Sequence, residues 1–478
     1  MKKTMFFIIG MVIGLPFLIQ AQNAVDALRY SQMYFGSTAR SNALGGAMGA
    51  LGADFGALSI NPASVAVYRK SEFTLSPLLG FNQTASIPSD GSSYTDFQYD
   101  FRLANGGLVG VFPTGNESGW ISTNIGIGYN VLNQFDQRTS VRILDANSSL
   151  LDDFVYDANQ NNWAYLWNEV ALLSDVIFFD SNAGVYSHDF INSEYGQSIR
   201  RTITEKGSNG EYVFSLGANY NNELFLGANL GIQSLRYEST LIHNESNIPD
   251  NYFGLSQFTH TEEIDTRGTG VNLKVGAIYT PVYWIRLGAS VHSPVFYSLR
   301  ESYSGIMAAS SDSLGDLSGS NSGQFDYEVI TPPRLILSTA FVLGRNALVS
   351  FDYEMVNYSF ARLRSDTYMF DIENEGIQAM YRNTRNLRLG AEYRISAVSL
   401  RGGAFYYESP FAEGEINAGS DMLGYSFGFG INNSSYFLDF SYTNRFNQSE
   451  YVLYQQPLNI ATIESTQHQL LFTLGFRF

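Results

Sequence analysis

The sequence predicts an all-β protein of the membrane kind, a transmembrane β-barrel of about fourteen antiparallel strands with an N-terminal plug inside its lumen. Three observations carry this expectation. Charged residues make up only 15% of the chain, whereas Tyr and Phe number 31 and 35 and Cys is absent. Globular chains carry roughly 25% charge, and a barrel in lipid turns an apolar wall with aromatic rims outward. Stretches of ten or more residues with apolar and polar positions alternating recur from residue 71 to the end, the period of strands with a different environment on each face. The connections between them alternate short and long. Outer-membrane barrels have short periplasmic turns and long outer loops, and a soluble sandwich has no reason to sort its loops by parity.

Residues 1–21 read as a signal peptide. Lys2 and Lys3 form the positive start, Met5 to Ile19 is apolar, and cleavage falls after Ala21. The apolar run is broken by Gly10, Gly14 and Pro16, and it is shorter than the ~20 residues of a spanning helix. No other run is long enough for such a helix, so export leaves the periplasm, the outside medium or the outer membrane as a barrel; with the alternating strands the expectation is the cell outer membrane of a Gram-negative bacterium. The formal net charge is −17, or −19 without Lys2 and Lys3; this acidic balance speaks against nucleic acid as a partner.

Residues 22–70 form the predicted plug. Gln22 to Tyr34 has a short helical pattern. Ala39 to Tyr68 is rich in Gly and Ala and is expected to lack regular structure, because glycine weakens a helix and no period-2 pattern supports a strand. Small residues suit a segment threaded where backbone lies close to backbone. It ends in Asn61-Pro62-Ala63, the candidate gating residues. Pro62 fixes its own φ and lacks an N–H, and it biases Asn61 away from the helical region.

The barrel occupies 71–478. The expected strands are 71–87, 94–112, 119–143, 197–220, 223–241, 257–280, 283–303, 323–343, 346–361, 384–395, 397–408, 420–431, 434–447 and 465–478. Glycine pairs at Gly207 and Gly210, and at Gly268 and Gly270, read as bulges within long strands. The long gaps are 144–196, 242–256, 304–322, 362–383, 409–419 and 448–464. An even strand count puts both chain ends on the periplasmic side. Alternation assigns faces: Leu387, Leu389, Ala391, Tyr393 and Ile395 against Arg388, Glu392 and Arg394, then Val398, Leu400, Ala404 and Tyr406 against Ser399, Arg401 and Tyr407. A charge facing lipid at mid-depth costs about 2–4 kcal/mol, so the charged face is the lumen. The last strand carries Leu470, Phe472, Leu474, Phe476 and Phe478 on one face and ends on an aromatic residue, which resembles the signal read by the outer-membrane barrel assembly machinery.

With these residues in view, the chain resembles the FadL/TodX family of outer-membrane transporters for long-chain fatty acids and other hydrophobic compounds. The most specific piece is Gly52 to Ala63, similar to that family's plug segment ending in Asn-Pro-Ala. Thr331-Pro332-Pro333-Arg334-Leu335, Arg388 to Tyr393, Arg401-Gly402-Gly403 with Ser409-Pro410, and the terminal strand support it. The resemblance implies a monomer set in outer-membrane lipid. A hydrophobic ligand is caught by outer loops, enters past the plug and leaves sideways through a gap at an inward kink of an early strand. Gly126, Gly128 and Asn130 are kink candidates. The third gap, 144–196, departs from the family pattern. The alternative reading is a shuttle or barrel subunit of a type IX-like secretion system, which resembles this family in fold.

Within 144–196, Leu166, Val170, Leu173 and Ile177 recur with helical spacing, and Trp163 and Trp167 add aromatic surface. Trp163, Leu166, Trp167, Val170 and Leu173 are candidate capture residues, or else pack on neighbouring loops. Arg286, Arg388, Arg394, Arg401 and Lys274 face the lumen and are candidate partners for a ligand carboxylate, Arg388 and Arg401 foremost, or else members of a lumen network with Glu354, Glu392, Asp352 and Asp439. The five histidines lack metal-ligand spacing, and no cofactor motif or nucleophile–base set appears, so neither an enzyme nor a cofactor is expected.

Overall fold

The structure, a computed structural model, describes residues 21–89, 93–160, 166–188, 195–249, 251, 254–455 and 458–478. The predicted signal peptide therefore lies outside the described residues, apart from Ala21. The sheet closes on itself as fourteen antiparallel staves. They are β1 (Glu72–Pro88), β2 (Tyr94–Pro113), β3 (Trp120–Gln134, continued by Gln137–Ile143), β4 (Ser198–Tyr220), β5 (Leu224–Ser246), β6 (Leu255–Val282), β7 (Ile285–His292 and Phe296–Ser311), β8 (Gly315–Ile330 and Arg334–Leu343), β9 (Ala347–Asn357 and Arg362–Arg364), β10 (Asn383–Ile395), β11 (Val398–Tyr407), β12 (Met422–Asn432), β13 (Tyr436–Gln455) and β14 (Leu458–Arg477). Pairing of β1 with β14, from Glu72 opposite Arg477 to Pro88 opposite Ala461, closes the barrel. Closure leaves no open sheet edge to face lipid.

The N-terminal segment fills the lumen. It forms a helix, α1 (Ala21–Ser31), a short turn of helix, α2 (Ala39–Ala43), and two 3-10 stretches, Gly56–Ser59 and Pro62–Val67. The expectation of no regular structure thus holds only between these short pieces, which stand because the wall supplies partners that an isolated segment would lack. Wall and plug meet backbone to backbone. A Cβ on Gly288 would lie 2.4 Å from the Gly49 carbonyl oxygen, and one on Gly403 2.3 Å from the Gly45 nitrogen.

The faces of the wall fall as alternation requires. Leu389, Tyr393 and Ile395 are exposed outward, while Arg388 and Glu392 are buried inward. In the last strand Leu470, Phe472, Leu474 and Phe476 are all exposed on the outer face. The tight turns lie at the end where the chain enters and leaves the barrel. Asn221 and Asn222 both have positive φ, 53° and 56°, the pair that a two-residue hairpin turn needs to match strand twist. Aromatic rings gather at this rim, with Trp120 5.2 Å from Tyr220 and Trp284 6.4 Å from Phe341.

At the other end the structure corrects the expected boundaries. Gaps 304–322 and 448–464 are largely strand, and strand reaches into both ends of 242–256, because β5 to β8, β13 and β14 run on past the wall. β5 has 23 residues and β6 28, whereas crossing the hydrocarbon takes about 9–11; the surplus forms a collar. Gly207, Gly210, Gly268 and Gly270 are not bulges in their own strands, since β4, β5, β6 and β7 keep one register through them. The helical pattern in 144–196 gives α3 (Leu150–Asn159) and α4 (Leu166–Leu173), but Ile177 starts a small hairpin, Ile177–Asp180 with Val185–His188. A further helix, α5 (Asp371–Met380), folds back over the lumen.

Candidate ligand chamber, plug and wall break

Side chains from the inner wall hold the plug. Asn61 donates from its amide to the carbonyls of Gly49 (2.7 Å) and Ala277 (3.1 Å), and its oxygen accepts from Ala63 N (3.1 Å). It thereby caps the Pro62–Val67 stretch, with Pro62 at the first position. The wall asparagines Asn124, Asn130 and Asn229 donate to plug carbonyls at Val65, Phe55 and Leu58. Buried Lys274 pairs with Glu211, which also accepts from Ser59 Oγ at 2.7 Å. These partners leave few buried plug groups unpaired, which would otherwise cost about 1–3 kcal/mol each.

Arg388 sits at the centre of a second set. It is fully buried and pairs with Glu354 and, at 3.7 Å, with Asp352. Asp352 accepts from the backbone of Met48 (3.1 Å) and Gly49 (3.0 Å). Glu354 also takes Arg334 at 2.7 Å, and Arg334 donates to the Ser31 carbonyl. Arg401 is held by Glu392 (2.8 Å) and Asp439 (2.6 Å). Arg388 and Arg401, the foremost of the cations that the sequence offers as ligand partners, therefore spend their charge on carboxylates of the wall, as do Lys274 and Arg394.

Of the candidate capture residues, Trp163 lies outside the described residues. Leu166 and Trp167 belong to α4, but their side chains are outside the described set. Val170 is fully buried and Leu173 exposed. Helix α4 packs on the collar, where a Cβ on Gly319 would lie 2.6 Å from the Val170 carbonyl oxygen. Helix α3 is anchored from below: the buried Glu245 accepts from Leu150 N at 2.8 Å, and Ser149 with Asp152 forms a capping box.

Two further features complete the lumen. The first is a break in the wall between β2 and β3, beside Asn130, one of the kink candidates. β2 pairs with β1 over nearly its whole length, from Tyr94 opposite Ser86 to Val109 opposite Glu72. It pairs with β3 only from Asn105 to Pro113. Beyond Asn130, β3 bulges between Val131 and Asn133 and turns inward; its continuation pairs with β4 alone. The carbonyls of Asp136, Arg138 and Ser140 accept instead from Asn82, Thr84 and Ser86 on the inner face of β1. Residues 94–104 of β2 so have a strand neighbour on one side only. Arg102 reaches across the break to Asp136 and, at 3.1 Å, to the Gly207 carbonyl. Of the kink candidates, Gly126 and Gly128 lie in the intact ladder and make room for Leu58 and Phe55 of the plug, whereas Asn130 is the last residue of β3 paired with β2.

The second feature is a lumen cavity of about 340 Å³ beside α1, lined by Leu28, Tyr34, Phe135, Tyr407 and Arg445 among others. A void of about 20 Å³ shares Tyr34, Asn133, Gln134 and Arg445 with it and reaches Leu78, Ala104 and Val131, behind the break. The plug touches the bend here, through Tyr34 N donating to Leu132 O at 2.7 Å. Arg445 lies 5.2 Å from the Tyr34 ring and 5.9 Å from Phe405. Its hydrogen bond goes to Gln469 at 3.4 Å, its Nε has no partner, and no carboxylate among the described residues pairs with it. Arg445 shares strand parity with Asp439 and Ser441, so the sequence could have placed it in the lumen.

A profile of the family described as "Outer membrane protein transport protein (OMPP1/FadL/TodX)" matches residues 210–478, more than half of the chain. No curated protein sequence matches. Among solved structures, a Pseudomonas aeruginosa FadL homologue is similar at 14% identity, covering 94% of this chain and 100% of that one with a TM-score of 0.57. The P. putida toluene transporter TodX is similar at 14% identity, with 93% and 99% covered and a TM-score of 0.54. The CymD monoaromatic hydrocarbon channel follows at 14%, with 93% and 98% covered and a TM-score of 0.51.

Proposed function

Because the chain belongs to the FadL/TodX family of outer-membrane transport proteins, and so carries hydrophobic compounds across that membrane rather than acting as an enzyme, we propose that its ligands are long-chain fatty acids or similar amphiphiles with one anionic head. At the identities of the similar structures the likeness speaks for the fold alone, so the ligand is argued from this chain. The observation that carries the choice is Arg445, a cation without a carboxylate partner among the described residues, in the lumen cavity beside α1. The other lumen arginines at Glu354 and Glu392 are already neutralised. A ligand carboxylate would supply the missing charge-assisted hydrogen bond, with its tail against Leu28, Phe135 and the slot toward Leu78 and Ala104. Leu173 and Phe179, both more than half exposed on the outer loop, offer capture surface. The way out is the break between β2 and β3, opened when the Gln32–Tyr34 stretch of the plug moves with Leu132. Transport by the full chain in liposomes tests this. Arg445→Gln is expected to raise the KM for palmitate about tenfold, the size of one charged hydrogen bond, while toluene entry stays unchanged. Equal loss for both, or for neither, overturns the choice of an anionic ligand.

A further inference from the structure

A second chamber lies at the opposite end, beneath the plug, where the tight turns are. Two cavities of about 250 and 190 Å³ share Arg40, Leu51, Arg286 and Arg394. Six arginines and four carboxylates line the pair, an excess of positive charge in a chain whose net charge is −17. Arg40, Arg394 and Arg401 all lean on the single carboxylate of Glu392, at 3.2, 3.2 and 2.8 Å. Arg477 takes Glu72 at 2.8 Å. Arg286 has no carboxylate partner among the described residues. It donates to the carbonyl of Leu51 in the plug at 2.8 Å, and its Nε is buried without a partner. Arg345 stands exposed at the mouth, also without an ion pair among the described residues.

We propose that this chamber is an oxyanion site facing the periplasm, with Arg286 as its anchor and Arg394 and Arg345 beside it. Guanidinium groups recognise phosphate through paired N–H donors, and Arg40 and Arg394, which share Glu392 with Arg401 and have no other carboxylate paired with them among the described residues, leave donors for a second anion. The ligand is a phosphate, either free or as the headgroup of a phospholipid. Its binding competes with the plug. Arg286 gives its hydrogen bond to Leu51 O, and Arg40 gives one to Ala53 O at 3.3 Å. The turn they hold is strained at Ala53, a residue with a side chain at φ +50°, which follows Gly52 in the left-handed region that glycine adopts freely. An anion that draws both guanidinium groups away loosens this turn from below.

The test is calorimetric titration of the full chain in uncharged detergent at low salt. The probes are inorganic phosphate and dihexanoyl-phosphatidylglycerol. One saturable site is expected, weakened at least tenfold in Arg286→Gln and less in Arg286→Lys, and unchanged in Arg300→Gln, which sits exposed on the far collar. Binding of both probes means a site open to free phosphate; binding of the lipid alone means a headgroup site. Hydrogen exchange at residues 51–53 should rise on binding in the unsubstituted chain. No binding by either probe, binding indifferent to Arg286→Gln in a protein that still shows heat-modifiable migration, or unchanged exchange at 51–53 overturns the proposal.

Discussion

The amide of Asn61 donates to the carbonyl of Gly49 at 2.7 Å, closing the loop of small residues between them into one folded unit. The same amide reaches Ala277 in the wall, so one side chain joins plug to plug and plug to barrel.

Replacing it breaks both joints. Asn61→Ala leaves the Gly49 and Ala277 carbonyls without this donor and removes the cap of the Pro62–Val67 stretch, a loss of about 1–3 kcal/mol from the plug. The barrel ladder does not depend on Asn61. The expected outcome is a normal amount of heat-modifiable protein in the outer membrane with altered ligand uptake and raised ion conductance in planar bilayers. Unchanged conductance and uptake at equal abundance would show that the plug does not gate.

Glu354 is predicted to be the most sensitive acid of the lumen. It pairs with both Arg334 and Arg388, each buried. Glu354→Ala strands the buried Arg334 and leaves Arg388 only Asp352, at 3.7 Å, and breaking a buried pair costs about 3–5 kcal/mol. A thermal scan in detergent should show a clearly lower Tm than for Arg300→Ala, whose pair with Asp326 is exposed and worth about 0–1 kcal/mol.

Arg102 bridges the wall break. Arg102→Ala removes the link from β2 to Asp136 and to the Gly207 carbonyl. Transfer of a fluorescent fatty acid into liposomes should become faster, because the unpaired part of β2 then moves without its partner. A rate equal to that of the unsubstituted chain would place the exit elsewhere.

The docking of α3 on the collar should depend on acid. Burial pushes the Asp152 carboxyl up, but hydrogen bonds from His188, the Ser149 backbone and the Tyr195 hydroxyl more than offset this and hold it below its usual value. A carboxyl depressed in the folded state stabilises fully above its unfolded pKa of about 3.9 and loses that contribution as pH falls through the folded value. Hydrogen exchange over 150–159 should stay flat from pH 8 to 5 and rise only below about pH 4. Asp152→Asn should show fast exchange already at neutral pH.

The sequence by itself determined the barrel, its strand number, which face meets lipid and which end carries the tight turns. Each follows from the two-residue period and from the cost of charge in lipid, which act within one strand: Leu389 and Arg388 sort themselves wherever β10 stands. It also placed the plug before the first strand and found its turning point at Asn61-Pro62. The collar reads as loops in the sequence because 304–322 is mostly polar and 448–464 mixes polar and apolar residues without one continuous apolar face, and strands outside the bilayer need none. The wall break, the pairing of Arg388 and Arg401, and the state of Arg445 and Arg286 without a carboxylate were decided by the tertiary structure. Whether an arginine is neutralised depends on which side chains the neighbouring strands set beside it, as Glu354 on β9 stands between Arg334 on β8 and Arg388 on β10. Whether β3 pairs with β2 depends on Asn82, Thr84 and Ser86 of β1 offering its carbonyls another partner. The β1–β3 contacts join residues 54 positions apart and the arginine pairs join different strands, and no local period records either.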